Sequence, residues 1–260
     1  MIEIRSCVGF DELEACVQLQ IETWGYDESD VIPRKTFLVA QTIGGQVLGA
    51  FDTDLAGSAA RSLVGFVFSL PGVKTGDGQA KPYLHSHMLA VKEAYRNHGL
   101  GTQLKLEQRR EALARGIRYM EWTFDPLEIK NAFLNIHRLG ATVRTYRVDF
   151  YGVSSSRLQA GLPTDRLVAE WRLDSPRVHA VLEGRPIPAQ LIEESIQVPA
   201  QIYAWKTSQA GRERALAVQM ENRQKFQRAF SQGLAVIGFS RDAEGNGVFE
   251  LGSPTQAELD

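Results

Sequence analysis

The spacing of apolar positions changes several times along the chain, and each change predicts an element. Ile2, Ile4 and Val8 mark a short opening strand; from Asp11-Glu12-Leu13 the residues Ala15, Cys16, Leu19 and Trp24 follow helical spacing until Gly25 ends the run. Gly44-Gly45 turns the chain into the strand Gln46–Phe51, and after a loop around Gly57 a second β-rich run covers Ser62–Phe68, so this part reads as an antiparallel meander. A loop from Pro71 to Gly78 leads into Tyr83–Val91, an apolar strand interrupted by His85, Ser86 and His87.

From residue 85 to 151 the order reads β-α-β-α-β. A helix from about Gly99 to Arg115 is closed by Gly116, and Tyr119–Phe124 is the next strand. Ile129, Ala132, Phe133 and Ile136 form an i, i+3, i+4, i+7 stripe that ends at Gly140, and Thr142–Tyr151 is rich in β-branched and aromatic residues. Residues 174–200 carry Pro176, Pro186 and Pro188 with little periodicity and read as a connection. Gln209–Ser231 predicts a long helix with the pairs Leu216/Met220 and Phe226/Phe230; Leu234–Phe239 and Val248–Leu251 then form a hairpin around Glu244-Gly245-Asn246-Gly247.

Composition narrows the function classes. With 29 basic against 31 acidic residues in mixed order, the chain has no basic field for nucleic acid or an anionic membrane. Cys7 and Cys16 have neither a Cys-x-x-Cys spacing nor ligand-spaced histidines beside them, which predicts reduced thiols and no metal site. No apolar run approaches the roughly 20 residues that span a bilayer, and the N-terminus lacks a signal-peptide pattern, so the expected location is the cytoplasm.

Chemistry concentrates where the strand Tyr83–Val91 feeds a glycine loop that opens a helix. Such a junction points several unpaired N–H groups one way, with the positive end of the helix dipole behind them, and so suits an anion. Gly99 and Gly101 allow close approach of a phosphate, and Arg96 can add a charge-assisted contact. The loop lacks the Gly-Lys-Ser/Thr ending of a P-loop and the third glycine of a dinucleotide fingerprint, which disfavours an NAD or nucleotide enzyme. Taken alone, six residues of this kind are also compatible with a turn that binds nothing.

The run Leu89-Ala90-Val91-Lys92-Glu93-Ala94-Tyr95-Arg96-Asn97-His98-Gly99-Leu100-Gly101 resembles the acyl-CoA-binding motif of the GNAT superfamily of N-acyltransferases. Asn131 to Ala141 is similar to that superfamily's second landmark, with Ala141 in place of the usual aromatic. The resemblance is strong over about 83–151, weaker over 1–82 and compositional in the tail. It implies an α/β fold (α+β in some schemes): a mixed, mostly antiparallel central sheet flanked by helices. The domains expected are a GNAT-like domain at 1–173, a connection at 174–200, and a C-terminal helix and hairpin at 201–260 packed on the core.

The resemblance further implies acetyl-CoA or another short acyl-CoA as co-substrate and a small-molecule amine as partner, amino-acid-like as a first expectation, with a homodimer left open. Leu89 and Val91 would hold the pantetheine arm, and the amides of Asn97, His98, Gly99, Leu100, Gly101 and Thr102 the pyrophosphate. Asn131 or Asn135 would take the distal arm, and Leu89 N–H the oxyanion. Many relatives carry a Glu base where this chain has His85-Ser86-His87, so the histidines are the substitutes, with His87 slightly preferred; a packed pair of core histidines is the competing reading. Alternation places both on one side of the strand, with Ser86 and Met88 opposite.

The family's acid Tyr corresponds to Ile136, leaving unassisted thiolate departure, Tyr146 or Tyr151, or binding without turnover. Glu121 or Asp125 could orient an amine, though a solvated strand end is the plainer reading of Asp125. The tail cations Arg212, Arg214, Arg223, Lys225 and Arg228 read first as a charged exposed helix face, and Trp171 and Trp205 as core or interface aromatics.

Overall fold

A computed structural model describes residues 1–55, 57–76, 79–187 and 190–255. Gly78, Pro188 and the last five residues of the expected tail lie outside the described residues. The chain divides into two compact units, residues 1–120 with 155–158, and residues 121–154 with 159–260.

The first unit begins with β1 (Ile2–Ser6), α1 (Gly9–Trp24), α2 (Arg34–Thr42), β2 (Gln46–Asp52) and the single turn α3 (Ala59–Ser62). It continues through β3 (Leu63–Gly76), β4 (Gln79–Val91) and α4 (Leu100–Ala114). The strands pair antiparallel in chain order, as the meander predicts. Gly25 ends α1 as expected: it is left-handed at φ 65°, and its N–H closes the helix on Ile21 C=O at 2.8 Å.

Alternation along β2 and β3 divides their side chains between two faces. Phe51, Phe66 and Phe68 pack with Leu13, Cys16 and Leu19 of α1 and Phe37 of α2, whereas Leu48, Val64 and Val67 pack with Leu100 and Leu104 of α4. Cys7 and Cys16 are free and buried, with Sγ atoms 3.8 Å apart. The expected loop from Pro71 is instead a strand arm: β3 and β4 stay paired from Gly65/Val91 out to Gly76/Gln79. Pro71 concealed this; it and Pro82 lie where the described pairing of β3 and β4 is with each other.

β5 (Tyr119–Phe124) crosses the division between the units. The second unit then runs α5 (Ile129–Ala132), β6 (Thr142–Arg147), β7 (Arg166–Arg172), α6 (Pro176–Leu182) and β8 (Glu194–Val198). It ends with α7 (Ile202–Lys206), α8 (Gln209–Ser231), β9 (Ala235–Arg241) and β10 (Gly247–Gly252). Its strand order is β7-β6-β9-β10-β8, antiparallel throughout. A π-helical turn, Phe133–Arg138, continues α5.

Three expectations change here. The strand drawn to Tyr151 stops at Arg147, because Asp149 is left-handed at φ 43° and its carboxylate accepts Thr164 N–H at 2.9 Å, making a tight turn. The range 174–200 contains α6 and β8, so it is more than a connection; Ser175 Oγ caps α6 on Val178 N–H. Along α8 the buried stripe is Ala215, Gln219, Asn222, Phe226 and Ala229, while Leu216 and Met220 are exposed. Phe226 stacks on Tyr146 and meets Phe249 edge-on, and fully buried Trp171 lies edge-on to Trp122, so Trp171 is a core residue.

Candidate functional site

The glycine loop reverses the chain directly into the start of α4. A single 3₁₀ turn, Glu93–Tyr95, follows β4; Asn97 is left-handed at φ 65° and Gly99 at φ 80°, and α4 begins at Leu100. The two left-handed residues reverse the chain into the helix start. Gln103 N–H makes the first helical bond, to Gly99 C=O at 3.1 Å, so the amides of Leu100, Gly101 and Thr102 precede the helical ladder. A Cβ built on Gly99 would have nothing within 4 Å, so open space lies over the loop.

The side chains around the loop are partly committed. Tyr95 hydroxyl donates to Asp52 at 2.6 Å, pinning the 3₁₀ turn to the end of β2. Arg96 is exposed and its Nε donates to Val91 C=O at 2.9 Å, which aims the guanidinium back along β4. Asn97 and His98 are exposed.

Along β4 the alternation breaks at His87. Met88 pairs with Phe68 and Ser86 with Ser69, so His87 is an extra residue, a β-bulge. The consequence corrects the expected facing of Met88. Ser86 contacts Lys105 and Gln108 of α4, whereas Met88 packs with Phe68 on the α1–α2 face. His87 lies on that same face, edge-on to Phe68 at 6.0 Å, with the His85 ring 5.8 Å away. The histidines thus share a side, as expected, but Met88 shares it with them. Burial, and then the neighbouring His85, push the His87 pKa down to about 4. His87 is therefore a neutral imidazole near pH 7, a hydrogen-bond acceptor rather than a cation.

Leu89, Val91 and the loop belong to the first unit with the histidines, whereas Asn131, exposed, and Asn135, 4% exposed, belong to the second. Ile136 is buried and brings no hydroxyl. Tyr146 hydroxyl donates to Asp165, which also accepts both arms of Arg223; burial, then that bond, raises the Tyr146 pKa, so this phenol is held as a structural donor and makes a poor acid. Tyr151 hydroxyl lies 2.8 Å from Thr123 Oγ1. Asp125 is not a solvated strand end: it shares the buried Lys206 ammonium with Glu128, each at 2.9 Å. Of the tail cations, Arg223, Lys225 and Arg228 are ion-paired with Asp165, Glu221 and Glu194. Among the described residues no cluster suits a metal ion, and no helix is long and apolar enough to cross a membrane.

The sequence reading missed the buried polar group formed by Lys105, Gln108 and Ser86. Its signal was available: Leu100, Leu104, Gln108 and Ala112 form the i, i+4 stripe of α4, with Lys105 beside it, and a glutamine in such a stripe is out of place in an apolar core.

Residues 13–135 match the model of the Acetyltransferase (GNAT) family. No curated protein matches the chain. Among solved structures, Arabidopsis thaliana NAA60 in complex with acetyl-CoA is 16% identical, with a TM-score of 0.54 over 66% of this chain and 98% of that one. The same protein in complex with a bisubstrate analogue gives 0.53 over 66% and 97%, again at 16% identity. yncA, a putative acetyltransferase from Salmonella typhimurium with its cofactor acetyl-CoA, is 18% identical and gives 0.49 over 67% and 95%. The fold is thus the mixed α/β, mostly antiparallel one of NAA60, and the segment 13–135 is similar to the acetyltransferase (GNAT) family.

Proposed function

We propose that the protein is an acyl-CoA-dependent N-acyltransferase that moves an acetyl or other short acyl group to the amine of a small molecule, amino-acid-like as the first choice. The observation that carries the proposal is the loop itself, in which left-handed Asn97 and Gly99 deliver the chain into α4 beneath open space. The residues fit a pyrophosphate: amides from Asn97 to Thr102 with the helix dipole behind them, and Arg96 at the rim. Leu89 and Val91 would hold the pantetheine arm.

Transfer proceeds by direct attack of a neutral amine in a ternary complex. As the N–C bond forms the amine becomes acidic, and the imidazole of His87, neutral near pH 7, or that of His85 accepts its proton or holds a water that does. Leu89 N–H is the donor assigned to the oxyanion. The CoA thiolate leaves without a general acid, reasonable for a thiol with a pKa of about 8.5. The expected location is the cytoplasm.

A second reading, a module that binds acyl-CoA without turnover, is favoured by Ile136 and by the commitment of Tyr146 to Asp165. Thiol release from acetyl-CoA with a panel of amines separates the two. Amine-dependent thiol supports the enzyme, whereas heat protection by acetyl-CoA without thiol supports the binding module. Absence of protection by both acetyl-CoA and CoA removes both.

A further inference from the structure

Beneath the strand that carries His85 and His87 lies a chain of buried polar groups that an apolar core would not contain. Lys105 is 3% exposed and Gln108 0%. Lys105 Nζ donates to Ser86 Oγ at 2.9 Å and to Gln108 Oε1 at 3.2 Å, with Met120 Sδ at 3.8 Å. Ser86 Oγ donates to Gln108 Oε1 at 2.9 Å. The chain continues away from α4: Gln46 Nε2 donates to the Gln108 carbonyl at 3.0 Å, and Ser69 Oγ donates to Gln46 Oε1 at 3.0 Å.

This layer costs stability. Burial drives the Lys105 pKa well down, and Gln108 Nε2 has no hydrogen-bond partner among the described residues. Leu or Met at these positions would fill the same space without either penalty. Its location accounts for its presence. Ser69 and Ser86 are cross-strand partners, and the register shifts immediately beyond them, at the bulge that sets His87. Ser86 is thus the last regular residue before His87, and it is anchored from below on the face opposite the imidazoles.

We propose that Lys105 is a positioning residue: by holding Ser86 on the α4 face, at the point where the β4 bulge begins, it fixes the orientation of the adjacent His87 beside His85. The proposal rests on the acyl-transfer reading for its catalytic consequence, but the anchoring can be read without it. Because Ser86 is held on the α4 face, alternation puts His87 on the opposite face beside His85, and the bulge then sets its backbone angle by placing Met88 on that face as well.

The test uses the full chain with Lys105→Met, Ser86→Ala and Ser86→Thr. Side-chain NMR of the five histidines, with His87 assigned from His87→Gln, reports ring environment; thiol release reports kcat and KM. Lys105→Met and Ser86→Ala are expected to fold, to keep KM for acetyl-CoA, and to lose about 10- to 100-fold in kcat, the scale of a displaced catalytic group. The His85 and His87 resonances should move in both. Ser86→Thr, which keeps the hydroxyl, should restore resonances and rate.

Unmoved resonances in both Lys105→Met and Ser86→Ala overturn the anchor, as does failure of Ser86→Thr to restore them. Moved resonances with an unchanged kcat overturn the catalytic role. A wild type that shifts its resonances in the variants but releases no thiol with any amine overturns the transfer reading and leaves the anchor standing. If Lys105→Met does not fold, Ser86→Ala and Ser86→Thr decide.

Discussion

The imidazole of His87 meets the ring of Phe68 edge-on, with centroids 6.0 Å apart, and this apolar neighbour contributes to the burial that keeps the histidine uncharged. Its pKa near 4 in the fold lies below the 6.5 of an exposed histidine, so the unfolded chain binds the extra proton first as pH falls. Stability should decline from pH 6.5 to about 4 on this account and become independent of His87 below that. Urea unfolding of wild type and His87→Gln across this range checks it: the variant should lose part of the slope, and identical slopes would show that His87 is not buried neutral.

Lys105 predicts a trend at the other end of the scale. Its pKa is depressed in the fold by burial, whereas the unfolded chain holds the proton up to about pH 10.4. Unfolded protein therefore binds more protons in the interval between, and stability should climb with pH through it. Lys105→Met should be more stable than wild type at neutral pH and lack this climb. A variant that is less stable at pH 7 would place a charged lysine in a compensated site instead.

Asp165 is the electrostatic centre of the second unit. Fully buried, it accepts Arg223 at 2.8 and 2.9 Å, Tyr146 at 2.5 Å and Asp149 N–H at 3.0 Å. Asp165→Ala leaves a partly buried guanidinium and a phenol unmatched, and should cost about 3–5 kcal/mol by chemical denaturation. Asp165→Asn should cost less, since an amide oxygen still accepts from Tyr146.

Gly99→Ala separates backbone strain from ligand contact. At φ 80° an alanine costs about 1–2 kcal/mol, and the added methyl touches nothing within 4 Å. If the loop cradles a pyrophosphate, the heat protection given by acetyl-CoA should fall in the variant beyond what the lower starting stability explains. Equal protection would move the phosphate away from Gly99.

Elements with strong periodicity or glycine stops were legible: α1 up to Gly25, α4 between Gly99 and Gly116, and α8 across its length. Those set by distant partners were not. β8 is stabilised by pairing with β10, about fifty residues later, and no local pattern announces that. Pro71 suggested a loop, yet a proline interrupts only the bond its own N–H would make. At the site, motif spacing located the loop and the histidine pair, but the bulge at His87 was hidden because it depends on how β3 and β4 align. The commitments of Tyr146 to Asp165 and of Asp125 to Lys206 were invisible for the same reason: the partners are far away in sequence.

The polar chain that starts at Ser69 Oγ and ends at Lys105 Nζ also constrains how the first unit is built. Its members come from β2, β3, β4 and α4, so a sheet formed without that helix would leave its hydroxyls and amides open to water. Docking of α4 closes them all together. Amide protons of these four elements should therefore exchange with solvent at a common rate, through one concerted opening, rather than fray strand by strand.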